Sequence, residues 1–244
     1  MKKLLMVVIL LFLTVATVSS KDENIISEQK ELLIINNNAV LYESESITSK
    51  QVRTLNFLEK IYLIKEGSGK RVFIITEKNE KGWVDSINTT IIPSNWKKID
   101  CYDGLSISIP PNVKFRFDKG EWEKHRNGDS FIEERENKIF ADNFFTIIIV
   151  RSSESLQEVV ENQKNSDDVS NYKSIYIEKN FNKKEIVFIK SSGMDSLQEY
   201  YVVMQNKNNS NINILISPET SNPSPEEIRT ALKILFSFEL KNEK

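Results

Sequence analysis

The sequence predicts a β-rich α+β chain in two parts: a small all-β unit over residues 36–92, then a larger α+β unit over 98–242 built on a mainly antiparallel sheet. Three observations carry this. Short apolar runs recur at close intervals in the first part, divided by turn residues. The hydrophobic pattern breaks at Ile91-Ile92-Pro93-Ser94-Asn95, where proline ends strand pairing, so residues 93–97 read as a hinge. Beyond it, strand patterns are interrupted by two segments that open like helices.

Ahead of both parts stands a leader. Met1-Lys2-Lys3 is followed by an apolar run from Leu4 to Val18, interrupted only by Thr14 and Thr17, and then by Ser19 and Ser20. A basic start, a short apolar stretch and small residues at its exit describe a secretory signal peptide over residues 1–20. The competing reading is an uncleaved anchor. The first reading makes the protein exported, periplasmic or extracellular, with no stable membrane span after cleavage. Residues 21–35 follow as a lead-in, mostly polar as far as Lys30. The formal net charge of −2 becomes about −4 once Lys2 and Lys3 leave, so nothing in the charge balance recruits nucleic acid or an anionic membrane. Cys101 is the single cysteine, which rules out an internal disulfide and is expected to be a small buried apolar residue.

In the first unit, Ala39–Tyr42, Ile61–Ile64, Val72–Ile75 and Trp83-Val84 read as strands. Asn36-Asn37-Asn38, Gly67-Ser68-Gly69 and the Lys78–Gly82 stretch supply the turns, with Gly82 expected to adopt a conformation closed to other residues. In the second unit, Leu105–Ile109 alternates strictly and stops at Pro110-Pro111, as a half-buried strand would. Glu121–Arg126 and Ser130–Arg135 flank Asn127-Gly128, a strong hairpin signal. Phe144–Val150 is nearly all apolar and reads as a central strand covered on both faces. A helix is expected over Ser153–Glu161, then strands at Tyr172–Ile177, Glu185–Lys190, Gln198–Gln205 and Ile212–Ile216, with a turn at 206–211. Ser224-Pro225-Glu226-Glu227 forms a capping box opening a last helix, whose Ile228, Ala231, Leu232 and Leu235 make an apolar stripe.

Two stretches resemble known families. "AVLYESESITSKQVRTLNFLEKIYLIKE" and "RVFIITEKNEKGWVDSINT" resemble the bacterial SH3 family of small extracellular barrels, with Val40, Leu55, Ile61, Leu63, Val72, Gly82, Trp83 and Val84 at its pattern positions. The family commonly has Asn-Val-Arg-Ser-Gly-Pro after the first strand, where this chain has Leu41-Tyr42-Glu43-Ser44-Glu45-Ser46. The resemblance implies an SH3-like barrel and a ligand of the cell wall, a peptidoglycan peptide or glycan, with Tyr42, Trp83 and Asp85 as the ligand-facing residues. Trp83 itself has two readings, a plug of the barrel core or a stacking platform. "GLSISIPPNVKF" and "ALKILFSFEL" resemble the opening and closing elements of the PsbP/Mog1-like α/β/α sandwich, over about residues 95–242.

Catalytic chemistry has little to stand on. His125, the single histidine, sits between Lys124 and Arg126, and is expected to be a neutral surface residue. One His and one Cys give no zinc ligand set, Asp167-Asp168 lacks the rest of a calcium loop, and no phosphate-binding Gly motif exists, so no metal or cofactor is expected. Glu133, Glu134 and Glu136 are the one acidic group that could serve a glycan hydrolase, with Glu134 and Glu136 on one face of a strand. The reading is a non-catalytic binding or assembly module of the bacterial envelope. The rivals are a hydrolase using the acids near Glu134 and a periplasmic scaffold that binds another envelope protein.

Overall fold

The computed structural model describes residues 29–240 apart from 102–103, 112, 128–129, 142–144, 171–172, 183, 193–197, 206–210 and 219–222. The signal-peptide reading, and residues 21–28 of the lead-in, lie outside that range, as do parts of the turns expected at 127–128 and 206–211. The chain divides by contacts into Met1–Ser86 and Ile87–Lys244.

The first unit is one six-stranded antiparallel sheet. Its strands are β1 (Lys30–Leu33), β2 (Val40–Tyr42), β3 (Gln51–Thr54), β4 (Lys60–Glu66), β5 (Arg71–Thr76) and β6 (Lys81–Asp85), in the order β1-β4-β5-β6-β2-β3. The lead-in therefore ends earlier than residue 35. Lys30–Leu33 pairs with β4, and Leu32, Leu33, Ile34 and Ile35 are all buried, so burial against distant strands overrides the polar start. Alternation divides β5 and β6 by face. Val72, Ile74 and Val84 point into the core with Leu41, Leu55, Leu58 and Ile61. Phe73, Trp83 and Asp85 take the other phase and are half-buried.

Gly82 corrects the expected turn. The left-handed residue between β5 and β6 is Asn79, at φ 62°, and Gly82 lies within β6 opposite Ile74. Its need for glycine is one of space: an added Cβ would stand 2.7 Å from the Tyr42 carbonyl oxygen and 2.8 Å from Leu41 Cδ1. Gly82→Ala is expected to destabilise the first unit by about 2 kcal/mol, because a sheet backbone must yield. Asn79→Gly, which keeps the left-handed backbone, is expected to cost under about 1 kcal/mol. Thermal melts of the two variants check the contrast.

The second unit is built on a seven-stranded antiparallel sheet, ordered β12-β13-β14-β15-β11-β10-β9. Its strands are β9 (Phe115–Asn127), β10 (Ser130–Ala141), β11 (Phe145–Ser152), β12 (Lys173–Phe181), β13 (Lys184–Ser192), β14 (Gln198–Gln205) and β15 (Asn211–Pro218). A small sheet of β7 (Lys97–Asp100), β8 (Leu105–Ile109) and β16 (Glu239–Leu240) brings together strands from the beginning and the end of this unit. The helices are α1 (Leu156–Ser170) and α2 (Pro225–Leu235).

Each helix starts as its capping residues dictate. Ser155 Oγ accepts from the Glu158 amide at 3.3 Å while the Glu158 carboxylate takes the Ser155 amide at 2.7 Å. Ser224 and Glu227 make the same reciprocal pair at α2, with Pro225 at its first position. On one face of the large sheet, Phe188 and Tyr200 lie with Phe236, which follows α2; the Phe188 and Phe236 rings stack at 5.8 Å. On the other, Val187, Ile189 and Val203 meet Leu156, Val159 and Val160 of α1.

Two strand readings change. On β11, Phe145, Ile147 and Ile149 are buried but Ile148 and Val150 are only half-buried, so the strand is not covered equally on its two faces. On β8 the alternation fails in the opposite sense, because Ser106 is buried beside β16 and its hydroxyl reaches the Glu239 carbonyl at 3.4 Å.

Candidate functional site

The sheet register of the first unit sets four side chains in a row. Lys65 on β4 is opposite Phe73 on β5, Phe73 is opposite Trp83 on β6, and Trp83 is opposite Tyr42 on β2. Directly opposed residues share a face, so the row runs across four neighbouring strands. The Phe73 and Trp83 rings are 5.2 Å apart and tilted by 43°. Lys65 Nζ stands 5.4 Å from the Trp83 ring and 5.8 Å from that of Phe73, a cation over two electron-rich faces. Trp83 thus does not plug the core. Gly82 and Val84 hold the inward positions, and the indole lies on the outer aromatic surface, where it is half-buried.

The next row explains how that surface is framed. Arg71, on the same face as Phe73, is opposite Asp85 and donates from Nε to its Oδ1 at 3.0 Å. The guanidinium carbon lies 3.6 Å from the centroid of the Tyr42 ring. Nη1 donates to the carbonyls of Ser44, at 3.2 Å, and Ser46. Arg71 is only 7% exposed, since the loop after β2 folds over it. That loop is tied a second time through Glu45, whose carboxylate accepts from Ser68 Oγ and the Gly69 amide, both at 2.9 Å. Those bonds hold the half-buried Glu45 below the usual carboxylate range, the Ser68 hydroxyl foremost. Gly67 completes the frame: an added Cβ would lie 2.8 Å from Trp83 Cζ3, so the turn can lie against the indole only without a side chain.

Of the three residues expected from sequence, Tyr42 and Trp83 are brought together and Asp85 lies in the adjoining row, engaged by Arg71. Phe73, Lys65 and Arg71 were not anticipated. A usable signal existed in Phe73: it occupies the outward phase of β5, as Trp83 does on β6, and two large aromatics on outward phases of adjacent strands make a surface.

The other candidates fall elsewhere. Arg53 donates from Nε to Glu80 at 2.8 Å and from Nη1 and Nη2 to the two oxygens of Glu59. Burial works to raise Glu59, but the Arg53 hydrogen bonds and the Asn56 amide outweigh it and hold the carboxyl low. Glu80 is lowered chiefly by Arg53. Both acids are held as anions.

In the second unit, Glu133 and Glu134 stand on β10 opposite Lys124 and Glu123, and His125 on β9 opposite Ile132; the side chains of Glu133, Glu134 and His125 lie outside the described residues. Glu136 is exposed and pairs with Lys138 Nζ at 2.6 Å. Cys101 is buried, and burial pushes its thiol up to about 12, which keeps it protonated. Among the described residues no group of three or more His, Cys, Asp or Glu is placed to hold a metal ion, and no helix is long and apolar enough to cross a membrane.

No family model matches this chain, and no curated protein matches it. Among solved structures it is similar to the solution structure of cyanobacterial PsbP (CyanoP) from Synechocystis sp. PCC 6803, at 10% identity and a TM-score of 0.38, over 62% of this chain and 95% of that one.

Proposed function

We propose that this protein is a non-catalytic, exported binding or assembly module of the bacterial envelope, and that the Lys65–Phe73–Trp83–Tyr42 row is its ligand-binding surface. The single observation supporting the site is that three aromatic rings share the outer phase of adjacent strands beside two loops that Arg71 and Glu45 tie down. Rings held this way suit a ligand with flat apolar faces, such as a sugar ring or a peptide side chain, and little ordering remains to oppose binding. Lys65 adds an exposed cation at one end of the row, which favours a ligand carrying a carboxylate. Cell-wall peptides and glycans meet both requirements. Reading the first unit as an SH3-like barrel rests on Gly82-Trp83-Val84 and the β2–β6 strands, and reading the second as PsbP/Mog1-like rests on strand β8, which ends at Pro110-Pro111, on its sheet and on its terminal helix.

The test is retention of residues 21–244 on purified cell wall. Trp83→Ala is expected to lower retention at least about tenfold, while Trp83→Phe keeps most of it, given that one stacked ring contributes on the order of 1 kcal/mol or more. Equal retention of wild type and Trp83→Ala, with both folded by circular dichroism, rejects wall binding through this face. One observation favours a protein ligand as the second reading: Ile47, in the loop that Arg71 holds, is 91% exposed. Crosslinking from the neighbouring exposed position 48 in living cells separates the readings, since a protein ligand gives a discrete adduct lost in Ile47→Asp.

A further inference from the structure

The larger unit has a groove between the start of α1 and the β12–β13 hairpin. The groove, of about 470 Å³, has a floor of Leu156, Val160 and Val187. Its walls carry Glu161 from the helix and Glu178 and Glu185 from the strands, with Lys164 as the one cation.

The register fixes where the strand acids stand. Glu178 is opposite Val187 and Glu185 is opposite Asn180, so the two glutamates are diagonal neighbours on the face that carries Val187 and meets α1. Diagonal positions are about 7 to 8 Å apart, close enough for both carboxylates to reach one small cation between them. Among the described residues neither makes an ion pair or a side-chain hydrogen bond. Lys164 does not neutralise them: its ammonium sits 5.2 Å from the Tyr176 ring, outside ion-pair distance of any groove carboxylate. Glu161 instead accepts from Gln157 Nε2 at 3.3 Å. An apolar floor of one helical turn, ending at two unneutralised carboxylates, is complementary to an alkyl chain that ends in a cation.

We propose that this groove binds an aliphatic primary ammonium, with its methylene stem on Leu156, Val160 and Val187 and its charged head between Glu178 and Glu185. The same chemistry is carried by a free alkyl diamine and by the side chain of a lysine in a peptide. The site is independent of the aromatic row in the first unit, so Trp83→Ala leaves it intact.

The experiment is amide-shift NMR titration of residues 21–244 with 1,5-diaminopentane, with the peptide acetyl-Gly-Lys-Gly-amide, and with hexanoate and 1-hexanol as controls. Either amine is expected to shift α1, β12 and β13 resonances saturably, and the tighter of the two identifies the source. Glu178→Gln/Glu185→Gln is expected to weaken the amine about tenfold or more. Glu226→Gln, on the exposed start of α2, leaves it unchanged. Both glutamates are exposed, so the double variant is expected to fold, and its spectrum reports that directly. Equal affinity in the double variant, equal response to hexanoate, or shifts scattered over the whole surface would each overturn the proposal.

Discussion

Arg71→Met is expected to cost the first unit about 3 to 4 kcal/mol, the largest loss from any single substitution considered. Methionine fills most of the space but leaves the Ser44 and Ser46 carbonyls and Asp85 without their donor. Each of these part-buried acceptors left unmet costs about 1 kcal/mol, and the lost contact with the Tyr42 ring adds about 1 more. Solvent returns part of this, because the Asp85 side chain is 35% exposed, and the lower figure takes that into account. Arg71→Lys restores the charge but cannot serve an acid, two carbonyls and a ring from one ammonium, so it is expected to recover less than half of the loss. Trp83 is the one tryptophan of this unit, and its fluorescence in a Trp96→Phe/Trp122→Phe background follows urea unfolding of the unit. A cost below about 1 kcal/mol, or a lysine variant equal to wild type, defeats the claim that one guanidinium organises this surface.

That residue also shows where sequence reading stops. Strands marked off by turn residues at their ends were legible: Leu105–Ile109 and Gln198–Gln205 begin and end where the expected segments do. So were the two helix starts, because a serine with a glutamate three positions later satisfies the end of a helix without help from elsewhere. Strands that exist only through remote pairing were not. Lys30–Leu33 is held by β4, some thirty residues on. Gln51–Thr54 is a polar edge strand that leans on β2, and Glu239–Leu240 pairs with Leu105 and Ser106 at the far end of the unit. None of these carries a periodic signal, since partner and register supply the order.

The candidate site was half legible for a related reason. A tryptophan beside Gly82 stands out in a polar stretch, and Tyr42 lies where a neighbouring strand ends. Which way the indole points depends on the phase of β6, and that phase is set by Val84 and by the crowding of Gly82 against Leu41 and Tyr42. Arg71 was invisible because its role is spread over residues 25 to 27 positions earlier and 14 later. An arginine after a Gly-Ser-Gly-Lys turn reads as a solvated charge until the loop that covers it is in place.

Lys233 poses the same problem in the second unit and yields a prediction that depends on pH. The helical stripe anticipated Ala231, Leu232 and Leu235 as core, yet Lys233 is buried as well, at 7% exposure. Its Nζ donates to the Ile91 carbonyl at 2.8 Å, and Thr89 and Thr90 beside that carbonyl are buried too. Burial pushes the ammonium down from 10.5 to about 8, and Arg229, one turn earlier on α2, adds to the shift. The Arg229 Nε is itself buried without a hydrogen-bond partner, so it offers no relief to the neighbouring charge. For a base lowered in this way, both folded and unfolded chains are protonated below pH 8, and the cost of the buried charge is present in full. Between pH 8 and 10.5 the unfolded chain holds the proton that the folded chain has released, so the contribution to stability rises with pH across that window. The shift is equivalent to a swing of about 3 kcal/mol. Lys233→Met removes the titration while keeping the bulk. The stability of wild type minus that of Lys233→Met is therefore expected to climb by about 3 kcal/mol between pH 7.5 and 10.5, with most of the rise above pH 8. Taking the difference cancels the other groups that titrate in the same range. A flat difference in urea titrations across that interval would mean that the ammonium reaches water in the folded chain, and the clasp between α2 and Ile91 would have to be given up.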